Sequence, residues 1–190
     1  MGSDSITAFA ESVTVDALET DPYPIYARLR REAPVCYLPA VRLWFVTRYD
    51  DVEFVGTHPE LWPAPGGCRG GLRWVSPIGT QTRQVAVDTE LGGVSLPRGA
   101  AVGSLVSSAN RDETKFAEAG RFDIFRPRSA NLAFGAGRHF CAGHAFSRAQ
   151  VRIAIEVLIR RFPTLALDPD RPPRFRGWEF RAPRRLDVLL

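Results

Sequence analysis

The stretch Phe134-Gly-Ala-Gly-Arg-His-Phe-Cys-Ala-Gly143 constrains this chain more than any other, because it leads straight into a long apolar segment ending near Phe162. The spacing predicts a helix with Cys141 at its start. There several backbone N–H groups lack an intrahelical partner, and their field favours a thiolate over a thiol. Gly135, Gly137 and Gly143 strip side chains from the loop, which suits close approach to something flat or bulky. Cys141 therefore reads as an anionic ligand. A small buried hydrophobe near a helix start is the other reading a free cysteine admits.

In the segment that follows, Val151, Ala154, Ile155, Leu158 and Phe162 recur at helical spacing, and Phe146, Ala149, Ile153 and Val157 form a second stripe. Two stripes predict a helix buried on most sides. Arg148, Arg152, Glu156 and Arg160 fall four apart on a solvated face, with Glu156 ahead of Arg160 in the favourable order for an ion pair.

Upstream, residues 1–20 read as a polar, loosely held arm with Asp16 as a cap for a short turn. Asp21 to Pro34 reads as a short helix, with Asp21 as N-cap, Pro22 in the first helical position, Pro34 as the stop, and Tyr26, Leu29 and Ala33 on one face. Val35–Leu38 and Leu43–Thr47 are β-rich and form a hairpin, and a helix begins at Tyr49. Trp62 to Gly71, dense in proline and glycine, is a seam within what otherwise reads as one domain over 1–190. Strands are expected over 80–88, 94–96 and 101–106, with a turn at Gly92-Gly93 and a capped helical turn over 110–116. The last thirty residues read as loops and short strands.

The composition, 45% hydrophobic and 24% charged with net charge +4, is that of a globular chain without a membrane-spanning run, and a cytoplasmic location follows by default. Cys36, Cys68 and Cys141 are odd in number and widely spaced, which argues against a disulfide framework or a structural zinc site. Nucleic-acid binding lacks both basic–aromatic interleaving and zinc-finger spacing.

The pattern Phe134-x-x-Gly137-x-x-x-Cys141-x-Gly143 resembles the heme-ligand signature of the cytochrome P-450 family, whose cysteine sulfur is the proximal iron ligand. The Asp21-Pro-Tyr-Pro opening, with helix, hairpin and helix after it, resembles the N-terminal part of that family. From Arg73 onward the order of elements resembles its C-terminal part. The resemblance implies a mainly α fold with a small antiparallel β-sheet, in an abbreviated form that lacks the family's helical middle. It implies heme b ligated by Cys141 as the catalytic and metal-binding residue. Arg83 and His139 fall at propionate-holding positions, and Phe134, Gly135 and Gly143 line the cofactor. A small-molecule substrate and a ferredoxin-type electron donor are the partners that the family implies, and apolar surface left by the missing middle would be covered in a homodimer.

Two departures stand out against that resemblance. The family's Glu-x-x-Arg pair and its third arginine are matched by Arg73 and Arg126, but Gly70 occupies the glutamate position, a departure that either destabilises the core or is rescued by an acid such as Glu53, Asp88 or Glu90. The distal acid and alcohol that deliver protons have no counterpart, and Ser107, Ser108 and Thr114 read as ordinary strand-end and turn residues. Phe175 to Phe180 corresponds either to a turn towards the substrate side of the heme or to a hydrophobic hairpin closing the core. An oxidoreductase, a heme-binding accessory protein and a dimerising non-catalytic remnant all remain open at this stage.

Overall fold

The computed structural model describes residues 3–58, 61, 76, 78–122 and 131–190. Three helices open the chain: α1 (Ser3–Ser12), α2 (Val15–Thr20) and α3 (Tyr23–Glu32). Thr14 caps α2 by accepting from the Ala17 N–H at 3.1 Å, and Ala10, Val13 and Leu18 are buried, so α1 and α2 are packed rather than a loose arm. What holds α2 lies far along the chain. The Arg181 guanidinium donates to the Glu19 and Thr20 carbonyls at the end of α2, at 3.3 and 3.0 Å, and Arg176 pairs with Asp16 at 2.9 Å. Asp21 closes α2 and accepts from the Tyr23 N–H at 3.3 Å, while Pro22 stands immediately before α3. Tyr26 and Leu29 are fully buried on the inner face of α3.

The hairpin of β1 (Val35–Leu38) and β2 (Leu43–Val46) pairs in register from Val35 opposite Val46 to Leu38 opposite Leu43. Next come α4 (Tyr49–Thr57), β3 (Gln81–Gln84), β4 (Thr89–Leu91), β5 (Val94–Leu96), β6 (Ala101–Ser104) and a short α5 (Val106–Ala109). Gly92 and Gly93, at φ +57° and +78°, make the two-residue turn between β4 and β5, a left-handed pair that glycine adopts without strain. The sheet runs β1-β2-β6-β3, with β2 and β6 parallel and the other pairs antiparallel. This corrects the expected antiparallel sheet: a long connection through α4 and the β3–β5 segment returns β6 in the direction of β2. The architecture of the described residues is mixed α/β.

Alternation along β2 divides the core. Phe45 faces one way, onto Tyr26, Leu29, Leu38 and Leu105, while Val46 faces the other, onto Val52, Val55, Leu96 and Val102. Over 110–116 the chain turns without a regular helix. Asp112 accepts from the Tyr49 N–H at the start of α4 (2.9 Å) and from the Thr114 N–H and hydroxyl (3.0 and 2.7 Å).

After a 3-10 turn at Gly137–His139 comes α6 (His144–Arg161), then β7 (Ala166–Leu167), β8 (Phe175–Arg176), β9 (Ala182–Pro183) and β10 (Val188–Leu189), paired as β7–β10 and β8–β9. The helix forms where periodicity placed it, yet none of its residues is buried, which overturns the expectation of a helix enclosed on most sides. Val151, Ile155 and Leu158 of one stripe, and Phe146, Ile153 and Val157 of the other, are all exposed. Periodicity identified the apolar faces, but the described residues provide nothing to cover them. The charged line behaves as expected, with Glu156 and Arg160 2.6 Å apart. In the C-terminal segment Trp178 packs on Phe45, ring centroids 5.5 Å apart, and the Gly79 N–H donates to the Glu179 carbonyl at 2.6 Å. Of the segment Phe175 to Phe180, Trp178 packs against the core, while Phe175 and Phe180 are exposed. No helix of the described residues is long and apolar enough to cross a membrane.

Candidate functional site

The cysteine loop is built from its backbone outward. Gly135 donates to the Leu132 carbonyl at 2.9 Å, Phe140 to that of Gly137 at 3.0 Å, and Cys141 to that of Phe134 at 2.9 Å, which folds the loop back on itself. Gly135 and Gly137 have φ of +74° and +62°, so both require glycine's freedom. Gly137 also lies against the end of α4: a β-carbon there would stand 2.8 Å from the Gly56 carbonyl oxygen and 2.8 Å from the Thr57 Cα. Gly143, the N-cap of α6, has φ −86°, which any residue adopts, so its backbone sets no requirement for glycine.

Cys141 sits two residues before that cap, at 3% exposure, packed with Ala133 and Phe134. It lies in the turn before the helix rather than in the first helical turn. Its carbonyl accepts from the His144 N–H (3.1 Å) and lies 2.9 Å from His144 Nδ1, which donates to it in the tautomer this contact selects. Phe134 is buried, with the Arg148 guanidinium 5.0 Å from its ring centroid. His139 lies on the 3-10 turn and is exposed.

Arg83 comes from β3, far away in sequence, yet the fold places it beside this loop. Its Nη2 donates to Gln81 Oε1 at 3.1 Å, and Gln81 Nε2 lies 3.6 Å from where a β-carbon on Gly135 would stand. Nη1 donates to the Thr82 carbonyl at 2.9 Å, while the buried Nε has no acceptor. Arg83 is only 8% exposed, and among the described residues no acid forms an ion pair with it. Burial pushes its guanidinium below the ordinary arginine range.

Two residues that the sequence reading did not assign to the site support it. Gln81 links Arg83 to the loop. Asn110, fully buried, accepts from the Leu132 N–H at 2.8 Å through Oδ1 and donates to Ser76 Oγ at 3.0 Å, tying the loop's entry to the core. A lone asparagine after a strand gives no sequence signal for that role. The hydroxyls set aside as structural are engaged within the fold: Ser107 donates to the Gly79 carbonyl, Ser108 to that of Thr47, and Thr114 to Asp112. Arg73, Arg126 and Gly70 lie outside the described residues, as does the whole seam from Trp62 to Gly71. Of the three acids considered as replacements, Asp88 accepts from the Arg98 N–H at 2.7 Å.

The family model described as Cytochrome P450 matches residues 71–187. Over 121 residues the chain is 39% identical to the steroid C26-monooxygenase of Mycobacterium tuberculosis strain H37Rv, covering 64% of this chain and 30% of that protein. It is 33% identical over 139 residues to the 6-deoxyerythronolide B hydroxylase of Saccharopolyspora erythraea, covering 73% and 34%. Among solved structures, the hydroxylase HmtN is 37% identical with a TM-score of 0.58, over 61% of this chain and 31% of that one. The enzyme CYP109B1 from Bacillus subtilis shares the fold at a TM-score of 0.78 and 16% identity, over 90% of this chain and 100% of that one. The chain spans about a third of the length of the curated relatives it matches.

Proposed function

The chain belongs to the cytochrome P450 family, and from that membership we propose that it is a heme-thiolate protein of oxidoreductase type, monooxygenase-like towards a small organic substrate. The observation that carries this reading is Arg83. A guanidinium buried beside the cysteine loop, with its Nε–H unpartnered and no carboxylate paired with it among the described residues, leaves a desolvated donor that costs about 1–3 kcal/mol. A carboxylate brought by a ligand would offset that cost, and heme carries two propionates.

The residues present fit the group. Cys141 offers a buried sulfur, the donor type that holds heme iron in thiolate proteins. Gly135 leaves the loop without a side chain beside Gln81, Gly137 seats the loop on the end of α4, and Phe134 lends an apolar wall. In this reading Cys141 holds the iron of heme b, Arg83 and His139 donate to the propionates, and Phe134, Gly135 and Gly143 face the macrocycle. When bound, the heme supplies redox chemistry, and a thiolate ligand pushes electron density towards the iron. Arg83 would neutralise the charge of a propionate and orient it. The packing of Ala133 and Phe134 would exclude water from the sulfur. A ferredoxin-type protein is the electron donor this reading calls for, and a cytoplasmic setting would supply it.

A second reading keeps the heme and drops oxygenation, as in a heme-binding accessory protein. The engaged hydroxyls of Ser107, Ser108 and Thr114 favour it, since each already serves a structural hydrogen bond and none is free to relay protons to a distal ligand.

Titration of the purified chain with hemin tests the shared premise. Saturation at one heme per chain, with affinity reduced about tenfold in Arg83→Met, is the expected result, which corresponds to roughly 1.4 kcal/mol for a lost charge-assisted hydrogen bond. Binding that ignores both Cys141→Ala and Arg83→Met would reject the site. Substrate-dependent consumption of NAD(P)H and oxygen with a ferredoxin and its reductase would separate the two readings in favour of the oxygenase.

A further inference from the structure

The two acceptors that hold Arg83 are both neutral: the Thr82 carbonyl takes Nη1 at 2.9 Å and Gln81 Oε1 takes Nη2 at 3.1 Å. Gln81 stands two residues before Arg83 on β3, so the alternation of the strand turns both side chains to one face. A guanidinium only donates, which fixes the amide's orientation: Oε1 meets Nη2, and the NH2 end is turned away from the arginine. That end lies against the cysteine loop. Nε2 is 3.6 Å from the point where a β-carbon on Gly135 would stand, and the His139 carbonyl oxygen is 3.5 Å from the same point. Among the described residues Nε2 makes no hydrogen bond. Gln84, exposed on the other face of the same strand, behaves differently: its Nε2 donates to the Gly99 carbonyl at 3.3 Å.

We propose that Gln81 is a cofactor-binding and positioning residue of this site: through Oε1 it holds the Arg83 guanidinium in place, and through Nε2 it donates to the heme carboxylate that Arg83 neutralises. This role rests on the heme reading above; what it adds is the residue that keeps the arginine available. The choice of an amide matters. A carboxylate at this position would hold the guanidinium equally well, but it would neutralise the charge within the chain and repel an incoming carboxylate. Glutamine holds Arg83 by a hydrogen bond and leaves its charge to the ligand. The unpartnered Arg83 Nε–H and the amide NH2 of Gln81 together make a donor set that a carboxylate completes.

Titration of the full chain with hemin, and with hemin dimethyl ester, whose propionates are capped and uncharged, tests this in the wild type, Gln81→Glu and Gln81→Leu. Hemin affinity is expected to fall about tenfold or more in Gln81→Glu and about threefold in Gln81→Leu, while affinity for the ester stays within about twofold of wild type in both. Urea unfolding of the apoprotein supplies a readout without heme. Gln81→Glu, able to pair with Arg83, is expected to have a midpoint at or above that of wild type, so stability and hemin affinity part company, which a residue serving the fold alone would not produce. In the unmodified chain, the Gln81 side-chain amide protons are expected to shift further downfield with zinc protoporphyrin than with its dimethyl ester. Hemin binding that is weakened by Arg83→Met yet unchanged in both Gln81 variants would overturn this inference and leave the heme site standing. Equal losses for hemin and its ester, with equal amide shifts, would assign Gln81 to the fold alone and overturn it as well. Wild-type protein that takes up no hemin would remove the heme reading, and this role with it.

Discussion

Gly137→Ala is expected to be the most damaging single methyl addition in the cysteine loop. Two terms set its cost. At φ +62° an alanine carries the strain of the left-handed region, about 1 kcal/mol. The added carbon would also stand 2.8 Å from both the Gly56 carbonyl oxygen and the Thr57 Cα, backbone atoms that cannot rotate away, and overpacking of this kind costs about 1–3 kcal/mol. The sum is about 2–4 kcal/mol, a large share of the roughly 5–15 kcal/mol by which a domain is stable. Gly93→Ala isolates the strain term, because φ there is +78° with nothing within 4 Å of the new carbon. Urea unfolding of the two variants gives the comparison. With a slope of about 2 kcal/mol per molar, Gly93→Ala lowers the midpoint by about 0.5 M and Gly137→Ala by about 1–2 M. Exchange of the amides at the end of α4 registers the same loss if the loop undocks locally. Equal midpoints, with unchanged exchange at the end of α4, would refute the claim that the loop is seated on that helix.

Arg83→Met is expected to act with opposite signs in the two states, raising the urea midpoint of the apoprotein by the equivalent of about 1 kcal/mol, since it removes an unpaired buried charge, while weakening hemin binding. A loss of apo stability would indicate that Arg83 serves the fold alone. At Asp112 burial raises the carboxyl pKa, but the hydrogen bonds from the Tyr49 N–H and from Thr114 outweigh it, so the folded value lies below the ordinary one. Its stabilisation is therefore present above the unfolded pKa of about 3.9 and lost as pH falls through the folded value, and the stability gap between wild type and Asp112→Asn should close in that acid range. Asp51 has the opposite sign: burial raises its pKa, and its Oδ2 has no hydrogen-bond partner. Asp51→Asn should stabilise the chain at pH 7, and that gain should vanish as pH falls through the unfolded pKa; a destabilised Asp51→Asn at neutral pH would contradict the assignment.

Where local chemistry decides the structure, the sequence was informative. The β1–β2 hairpin followed from aromatic and β-branched residues flanking a proline-containing connection, and the Gly92-Gly93 turn from the residue type that adopts both of its dihedrals without strain. The cysteine loop was legible because glycine, aromatic and cysteine positions all bear on one loop. What could not be read depends on contacts between distant residues. The parallel pairing of β2 with β6 joins residues nearly sixty apart, and α2 is held by Arg176 and Arg181 from the other end of the chain. Asn110 looks like a turn residue until its amide is seen holding Leu132 and Ser76. For α6, periodicity gave the apolar faces correctly, but a pattern of side chains carries no information on whether a partner is present.

The central claim is that Cys141 ligates heme iron, and the spectrum of the reduced, carbon monoxide-bound protein tests it most directly, because the position of the Soret band reports the ligand opposite the gas. A strongly red-shifted Soret band from wild type, absent in Cys141→Ala and kept in Cys36→Ala, is the predicted result. A band at the position of histidine-ligated or free heme in the wild-type protein would contradict it.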